Sequence, residues 1–309
     1  SMAAAHHVCG GLLISETHTD AVMYTYRVKQ VYQIAQTKYQ HAMLVELAGY
    51  GKTLFLDNKI QSALLDEYMF HEPMVQPGMV THPNPQRVLV AGGGEGATLR
   101  EVLRHNTVQQ AVMVDIDEQL VRYCEQYMPE WHQGAFSDPR TTLIFDDARQ
   151  VIARYRNQFD VVVSDLTDPL EAGPSQYLFT REFYQMIYDA LTDEGVLTVQ
   201  SGAGDPLYPY LYGCVVRTLQ EVFPIVRPYW SFVASFMLPW GFVLASKKHD
   251  PLALTPDEVA HRLETRGVRG LRYYDAQTHF GLFAIPPYLR EVIQTARVLT
   301  DADPFAWEA

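Results

Sequence analysis

The stretch RVLVAGGGEGATLREVLRHN, beginning at Arg87, constrains the fold more than any other part of the chain. Val88 to Ala91 form an unbroken apolar run, as expected of a strand covered on both faces in a parallel sheet. The run passes straight into Gly92, Gly93 and Gly94, where the backbone can turn sharply and come close to a ligand. A helical stretch follows at once. The same alternation then repeats down the chain. QQAVMVDID reads as a strand, Glu118 to Tyr127 as a helix, TTLIFDDA as a strand and RQVIARYR as a helix. FDVVVSDL, a helix near Thr180 to Ala190, GVLTVQSG and a helix from Tyr208 to Val222 continue it. Strands alternating with helices predict an α/β fold with a doubly wound parallel sheet. The adjacent strands IVRPYWSFV and WGFVLASK predict an antiparallel hairpin at one edge.

Upstream the period is different. From Tyr24 to about Leu65 the chain is β-rich and alternating, broken at AGYG and LDNK. This predicts a small antiparallel sheet of about four to six strands. The expected organisation is an N-terminal arm over 1–20, a β-sheet domain over 21–83 and a catalytic domain over 84–309. DEYMFHEPMVQPGMVTHPNP reads as a short helical stretch running into a Pro-rich link, and Pro83 and Pro85 are expected to mark the boundary. Thr255 to Arg266 reads as helical and the remaining tail as irregular.

Composition narrows the class. Of 309 residues 48% are hydrophobic, enough for a substantial core. No apolar run approaches the roughly 18–20 residues needed to span a bilayer, and no signal-peptide pattern is visible. Cys9, Cys124 and Cys214 are scattered, which suits a reducing, cytoplasmic setting without structural zinc. The formal net charge of −12 argues against a nucleic-acid partner, whose footprint would be basic.

The spacing Gly92-x-Gly94-x-Gly96 serves dinucleotides, S-adenosyl compounds and plain packing alike. Acids at the strand ends discriminate among them. Asp115 ends the second strand, about twenty residues after the glycine turn, where a carboxylate accepts from ribose hydroxyls. Asp146 and Asp147 end the third strand, where a carboxylate can accept from an adenine amine. Glu95 lies within the glycine turn, where its charge repels a pyrophosphate and favours a cation. Together these predict an adenosine carrying positive charge, an S-adenosyl sulfonium.

The fourth strand exits through SDLTDP, with Asp165 and Asp168 three residues apart. Two carboxylates at one strand exit repel each other unless cations neutralise them. An alkylamine acceptor fits. Its pKa resembles the 10.4 of Lys, so presenting it neutral at pH 7 costs roughly 4–5 kcal/mol. Its approach to a sulfonium costs about 4 kcal/mol more at 4 Å and an effective dielectric of 20. An acidic pocket offsets the repulsion, and one carboxylate accepts the proton as the nitrogen attacks.

The segments LDNKIQSALLDEYMFHE, HPNPQRVLVAGGGEGATLREVLRH, VMVDIDEQLV, DDAR and SDLTDPLEAGPSQYLFTREFYQ together resemble the polyamine aminopropyltransferases, the spermidine synthase family. The likeness runs in order from about Tyr24 to Lys247. It implies a Rossmann-like catalytic domain, of the S-adenosylmethionine methyltransferase type, beside a small N-terminal β domain. It also implies transfer of an aminopropyl group from decarboxylated S-adenosylmethionine, a co-substrate, to a polyamine nitrogen, releasing methylthioadenosine. By the same resemblance Asp165 is the proton acceptor and Asp168 the amine anchor. Gln40, Gly92, Gly94, Glu95, Asp115, Ile116, Asp146, Asp147, Ala148 and Pro174 serve the donor. Phe70, His71, Glu95, Asp168, Gln200, Phe236 and Trp240 serve the polyamine, with His71 lining its tunnel. No cofactor is implied, and no metal, since Val75 stands where a zinc-binding HExxH would need its second His. A homodimer or homotetramer is expected.

Three features depart from the family pattern. Phe70 replaces a Tyr, Ala148 replaces a Gly, and the loop after Asp165 is DLTDPLEAGP. The loop and SFMLPWGFVLAS are closer to the thermospermine synthase branch and triamine-using relatives. The reading therefore leans towards spermidine as acceptor. Putrescine or agmatine is the alternative, then an S-adenosylmethionine-dependent methyltransferase or a non-catalytic binder.

Overall fold

The structure is a computed structural model, described over residues 11–168 and 174–307. It comprises two compact units, Ser1–Glu67 and Tyr68–Ala309.

The first unit is one antiparallel sheet of five strands in sequential order. They are β1 (Leu12–Thr19), β2 (Val22–Gln36), β3 (His41–Leu47), β4 (Gly51–Leu56) and β5 (Lys59–Ala63). The LDNK break is a two-residue hairpin in which Asp57 and Asn58 both take positive φ, 49° and 62°. Asp and Asn tolerate that region, and its twist matches the flanking strands. β1 and β2 leave Leu12, Leu13, Met23 and Ile34 more than half exposed.

The second unit opens with helix α1 (Tyr68–Thr81), longer than the short stretch expected. The boundary between units therefore precedes Pro83 and Pro85 rather than coinciding with them. α1 holds Pro73 and Pro77 in its interior. Each proline lacks an N–H and so orphans the carbonyl four residues earlier. Both carbonyls are satisfied from outside: Ser231 Oγ donates to Met69 O at 2.8 Å and Tyr229 Oη to Pro73 O at 2.7 Å. At the C-terminal end Arg266 donates to Met79 O and His82 O, and Arg262 to Val80 O and Thr81 O. Neighbouring elements thus hold a helix whose own sequence would break it.

The sheet of this unit runs β11-β12-β10-β9-β6-β7-β8. Its strands are β6 (Arg87–Gly92), β7 (Gln110–Asp115), β8 (Thr141–Phe145), β9 (Phe159–Asp165), β10 (Leu191–Ala203), β11 (Ile225–Val233) and β12 (Leu238–Ser246). β10, β9, β6, β7 and β8 are parallel, and β11 and β12 form the antiparallel edge hairpin. The strand order reverses between β6 and β9, and open α/β sheets bind ligands at the carboxyl side of such a switch point. One core packs Leu89, Val162 and Leu197 with α6 (Arg181–Ala190) and α7 (Tyr210–Gln220). The other packs Val88, Val90, Val161 and Val163 with α1 and α2 (Ala97–Leu103). α3 (Glu118–Tyr127), α4 (Pro129–His132) and α5 (Ala148–Ile152) complete the crossovers.

The tail holds more structure than its sequence suggests. After α8 (Pro256–Thr265) come α9 (Ala276–Leu282) and α10 (Pro287–Thr295). Both are short, the first with Gly281 inside it and the second opened by Pro286 and Pro287, which hides their period. Buried Glu72 of α1 accepts the backbone N–H groups of Arg272, Tyr273 and Tyr274 and so anchors the tail. Among the described residues no helix is long and apolar enough to cross a membrane.

Replacing Tyr229 with Phe leaves the Pro73 carbonyl unpaired in the core. We expect a loss of about 1–3 kcal/mol, read by urea unfolding; unchanged stability would show that α1 does not need this bond.

Candidate active site

The site is built on the seam between β6 and β9. Gly92 pairs with Asp165 across the two parallel strands, and Gly93 N–H donates to Asp165 O at 3.2 Å. Gly92 has φ of 79°, and a Cβ there would collide with the Asp165 carbonyl oxygen. Only glycine lets the turn close on the strand exit. Gly94 answers a different need. A Cβ would fit, 3.4 Å from Asp115 Oδ2, so glycine keeps the floor beside that acid open.

Asp165 ends β9 with its carboxyl turned towards α2, where Thr98 Oγ1 donates to Oδ2 at 2.7 Å. Burial pushes the carboxyl up to about 7, and the nearby charges of Glu95 and Asp115 add to the rise. His71 and the Thr98 hydrogen bond oppose it. Asp115 behaves alike. Burial lifts it to about 7, against the Asp117 N–H that Oδ1 accepts at 2.9 Å. As whole residues Asp165 and Asp115 are each partly exposed, at the carboxyl edge of the sheet. Groups near 7 at a strand edge can exchange a proton at working pH.

Glu95 is 17% exposed and bonded to His71 Nε2 at 3.1 Å. The imidazole is 1% exposed, so His71 is buried against the Glu95 carboxylate. Asp117 accepts Leu120 N–H at 3.1 Å and caps α3, which fixes the turn after Asp115. Ile116 beside it is 41% exposed.

The acids ending β8 separate. Asp147 accepts Gln150 N–H at 3.0 Å as the N-cap of α5, with Ala148 packed in the core. Asp146 accepts Asp147 N–H at 2.7 Å and lies 3.4 Å from Arg154, so both its oxygens are engaged within its own segment. The expected pair is one capping acid and one acid turned to an exposed arginine.

Asp168 joins a second group. Gln200 Nε2 donates to Asp168 Oδ1 at 3.0 Å and also to Leu166 O, while Trp240 Nε1 donates to Gln200 Oε1 at 3.0 Å. The indole fixes which way the amide faces. Trp240 packs on Phe236, and Phe236 on Phe70, with ring centroids 5.0 and 6.1 Å apart. An aromatic wall without a hydroxyl therefore continues from the Asp168–Gln200–Trp240 group. Gln40 lies in the first unit, at the tight Thr37 turn entering β3. Pro174 opens a 3₁₀ turn over Pro174–Leu178, and the rest of the LEAGP loop lies outside the described residues. Thr98 escaped the sequence reading; its place in the first turn after the glycine loop is the signal that could have found it. Among the described residues no cluster of His, Cys, Asp and Glu has metal-holding geometry.

An unneutralised Asp165 is costly to fold. Between pH 4 and 7 the folded state keeps a proton that the unfolded state releases, so the penalty grows with pH up to about 7. Ligand-free Asp165→Asn protein is expected to melt a few degrees above the parent at pH 8, with the gap shrinking towards pH 5. An equal or lower melting point at pH 8 would contradict this.

Comparison with known proteins places this geometry. Residues 67–254 match the spermine/spermidine synthase domain and residues 12–63 the spermidine synthase tetramerisation domain. Polyamine aminopropyltransferase 2 of Hyperthermus butylicus is 43% identical over 94% of this chain and 95% of its own. The polyamine aminopropyltransferase of Sulfurisphaera tokodaii is 38% identical over 94% and 96%. Among solved structures, a spermidine synthase in complex with the transition-state analogue AdoDATO superposes with a TM-score of 0.86 at 31% identity, covering 92% of this chain and 95% of that one. Spermidine synthase from Thermotoga maritima gives 0.85 at 31% identity, covering 93% and 95%.

Proposed function

Because the chain belongs to the spermine/spermidine synthase family and is a polyamine aminopropyltransferase, we propose a division of labour among its acids and a triamine, spermidine, as its acceptor. The observation that carries the division is the cluster of Asp165, Glu95 and Asp115 around one glycine turn, two of them raised to about 7. Without ligand the cluster is partly protonated. Cationic substrates convert it to its ionised, working form.

In this reading the donor is decarboxylated S-adenosylmethionine. Asp115 accepts from its ribose hydroxyls. Exposed Ile116 lies against its nucleoside base, and Asp147 and Ala148 border the adenine. Asp146, whose exposed contact to Arg154 is weak, stands beside them on the donor side. Glu95, backed by His71, holds the aminopropyl ammonium. Asp168 holds the acceptor, with Gln200 and Trp240 fixing that carboxylate. The attacking amine passes its proton to Asp165 as nitrogen bonds to the aminopropyl carbon. The carbon–sulfur bond breaks, its electron pair neutralises the sulfonium, and methylthioadenosine leaves. The enzyme needs no redox step, and we assign it no metal or cofactor. Methyl transfer from S-adenosylmethionine is disfavoured, because the extra carboxylate of that donor would meet Glu95.

The lean towards spermidine rests on the aromatic wall. Phe70 and Phe236 offer no hydroxyl, and the Trp240 N–H is already used by Gln200. Such a wall suits a run of methylenes better than a second ammonium close to the first. We also read the exposed Leu12, Leu13, Met23 and Ile34 as an oligomerisation surface making a homodimer or homotetramer. Sedimentation velocity of the intact protein should show one of these, and a monomer at micromolar concentration would refute it. Cys124 and Cys214, both buried and free, fit a cytoplasmic setting.

One experiment tests the chemistry and the acceptor together. Donor is incubated with putrescine, agmatine or spermidine, and methylthioadenosine release is followed. Spermidine should turn over fastest, and Asp165→Asn should lower kcat by about 10²–10⁴ while methylthioadenosine still binds. Faster turnover of putrescine removes the triamine reading, and near-normal turnover by the variant removes Asp165 as the base.

A further inference from the structure

The DDAR segment contains a residue to which the reaction assigns no part. Arg149 follows Ala148 directly, within α5, a helix of only five residues. A single turn has little persistence of its own and takes its orientation from tertiary contacts. Here the contact comes from the far end of the chain. Arg149 donates from Nη1 to Asp301 Oδ1 at 2.9 Å and from Nη2 to Asp301 Oδ2 at 2.5 Å, a two-pronged pairing. Nη1 also donates to Tyr177 O at 3.0 Å.

Asp301 is itself held on every side. Its Oδ1 accepts from Thr180 Oγ1 at 2.7 Å, and Thr180 is the N-cap of α6. Its backbone N–H donates to Glu182 Oε2 at 2.9 Å. Two residues earlier, Leu299 is buried in the core, accepts Arg181 N–H at 2.8 Å and donates to Thr218 Oγ1 at 2.8 Å. The side chains of Arg149 and Asp301 are 23% and 35% exposed. A forked, partly buried pair with a further hydroxyl bond is far more rigid than a loose surface ion pair. The guanidinium is held above and the carboxyl below their ordinary values by this bond.

We propose that Asp301 is a positioning residue for the donor: through the fork on Arg149 the C-terminal segment holds the start of α5, and with it Asp147 and Ala148, in register for the adenine. The inference rests on the reading of Asp147 and Ala148 as adenine neighbours given above. It makes the tail, which carries no recognisable motif, part of the donor subsite's support.

The test uses the full-length protein with Asp301→Asn, Arg149→Lys and Asp147→Asn. Asp301→Asn keeps size but loses the charged fork, and Arg149→Lys keeps charge but loses the second prong. Steady-state rates are measured with donor varied at saturating acceptor and the reverse, and methylthioadenosine affinity by calorimetry. For both clamp variants we expect donor KM and methylthioadenosine Kd to rise about tenfold, the scale of one lost charge-assisted hydrogen bond. Acceptor KM and kcat should stay within about threefold. A clamp variant with a lowered melting temperature and unchanged donor KM overturns the proposal, because a staple that only stabilises the fold behaves in that way. So does an equal rise in both KM values. If Asp301→Asn yields no folded protein, the same two results with Arg149→Lys overturn the proposal. Asp147→Asn separates the premise: unchanged methylthioadenosine affinity there refutes the adenine reading, whatever the clamp variants do.

Discussion

The structure depends on how closely β6 and β9 approach at their carboxyl ends. Gly92 and Asp165 are partners in the parallel ladder, and Gly93 turns back to donate to the Asp165 carbonyl. No side chain fits between them. That closeness stations the Asp165 carboxyl beside the glycine turn, and Glu95, carried by the turn, comes with it. A sheet with any other residue at position 92 would have to open there, and the acids would no longer share one field.

Sharing a field has a cost. Burial and mutual repulsion raise Asp165 and Asp115 to about 7, so the ligand-free site opposes its own ionisation. The fold holds the cluster with polar contacts from several elements. Thr98 steadies Asp165, Asp117 N–H steadies Asp115 and His71 steadies Glu95. His71 reaches Glu95 because α1 is pinned by Ser231, Tyr229, Arg262 and Arg266 at carbonyls it could not satisfy alone. A helix interrupted by two prolines is thus positioned almost wholly by its neighbours. Any ligand carrying positive charge relieves the repulsion among the acids, which ties stability, ionisation and binding together.

Much of this was legible in the sequence, and for identifiable reasons. Val88 to Ala91 and Val161 to Val163 are unbroken apolar runs, so their strands and their parallel pairing follow from burial on both faces. Glu118 to Tyr127 was readable to the residue because Asp117 caps it and its apolar face is periodic. The helices Ala276–Leu282 and Pro287–Thr295 were not readable, being 7 and 9 residues long, with Gly281 inside the first and Pro286 and Pro287 opening the second. The Pro83 boundary misled for a related reason. Pro73 and Pro77 break the helical pattern of α1 locally, and partners from β11 let the helix continue through them.

The sequence by itself determined which residues stand at the strand exits. In an open parallel sheet ligands bind outside the carboxyl ends of the strands, so Asp115 and Asp165, and the Asp146–Asp147 pair just past β8, are candidates from the sequence alone. What only the tertiary structure decided is what each of those groups is already doing. Glu95 finds His71 across 24 residues, Asp165 finds Thr98 across 67, and Arg149 finds Asp301 across 152. Local periodicity carries no record of such pairings. They are fixed by where the packed elements bring polar atoms within hydrogen-bonding distance, and that is a property of the folded chain alone.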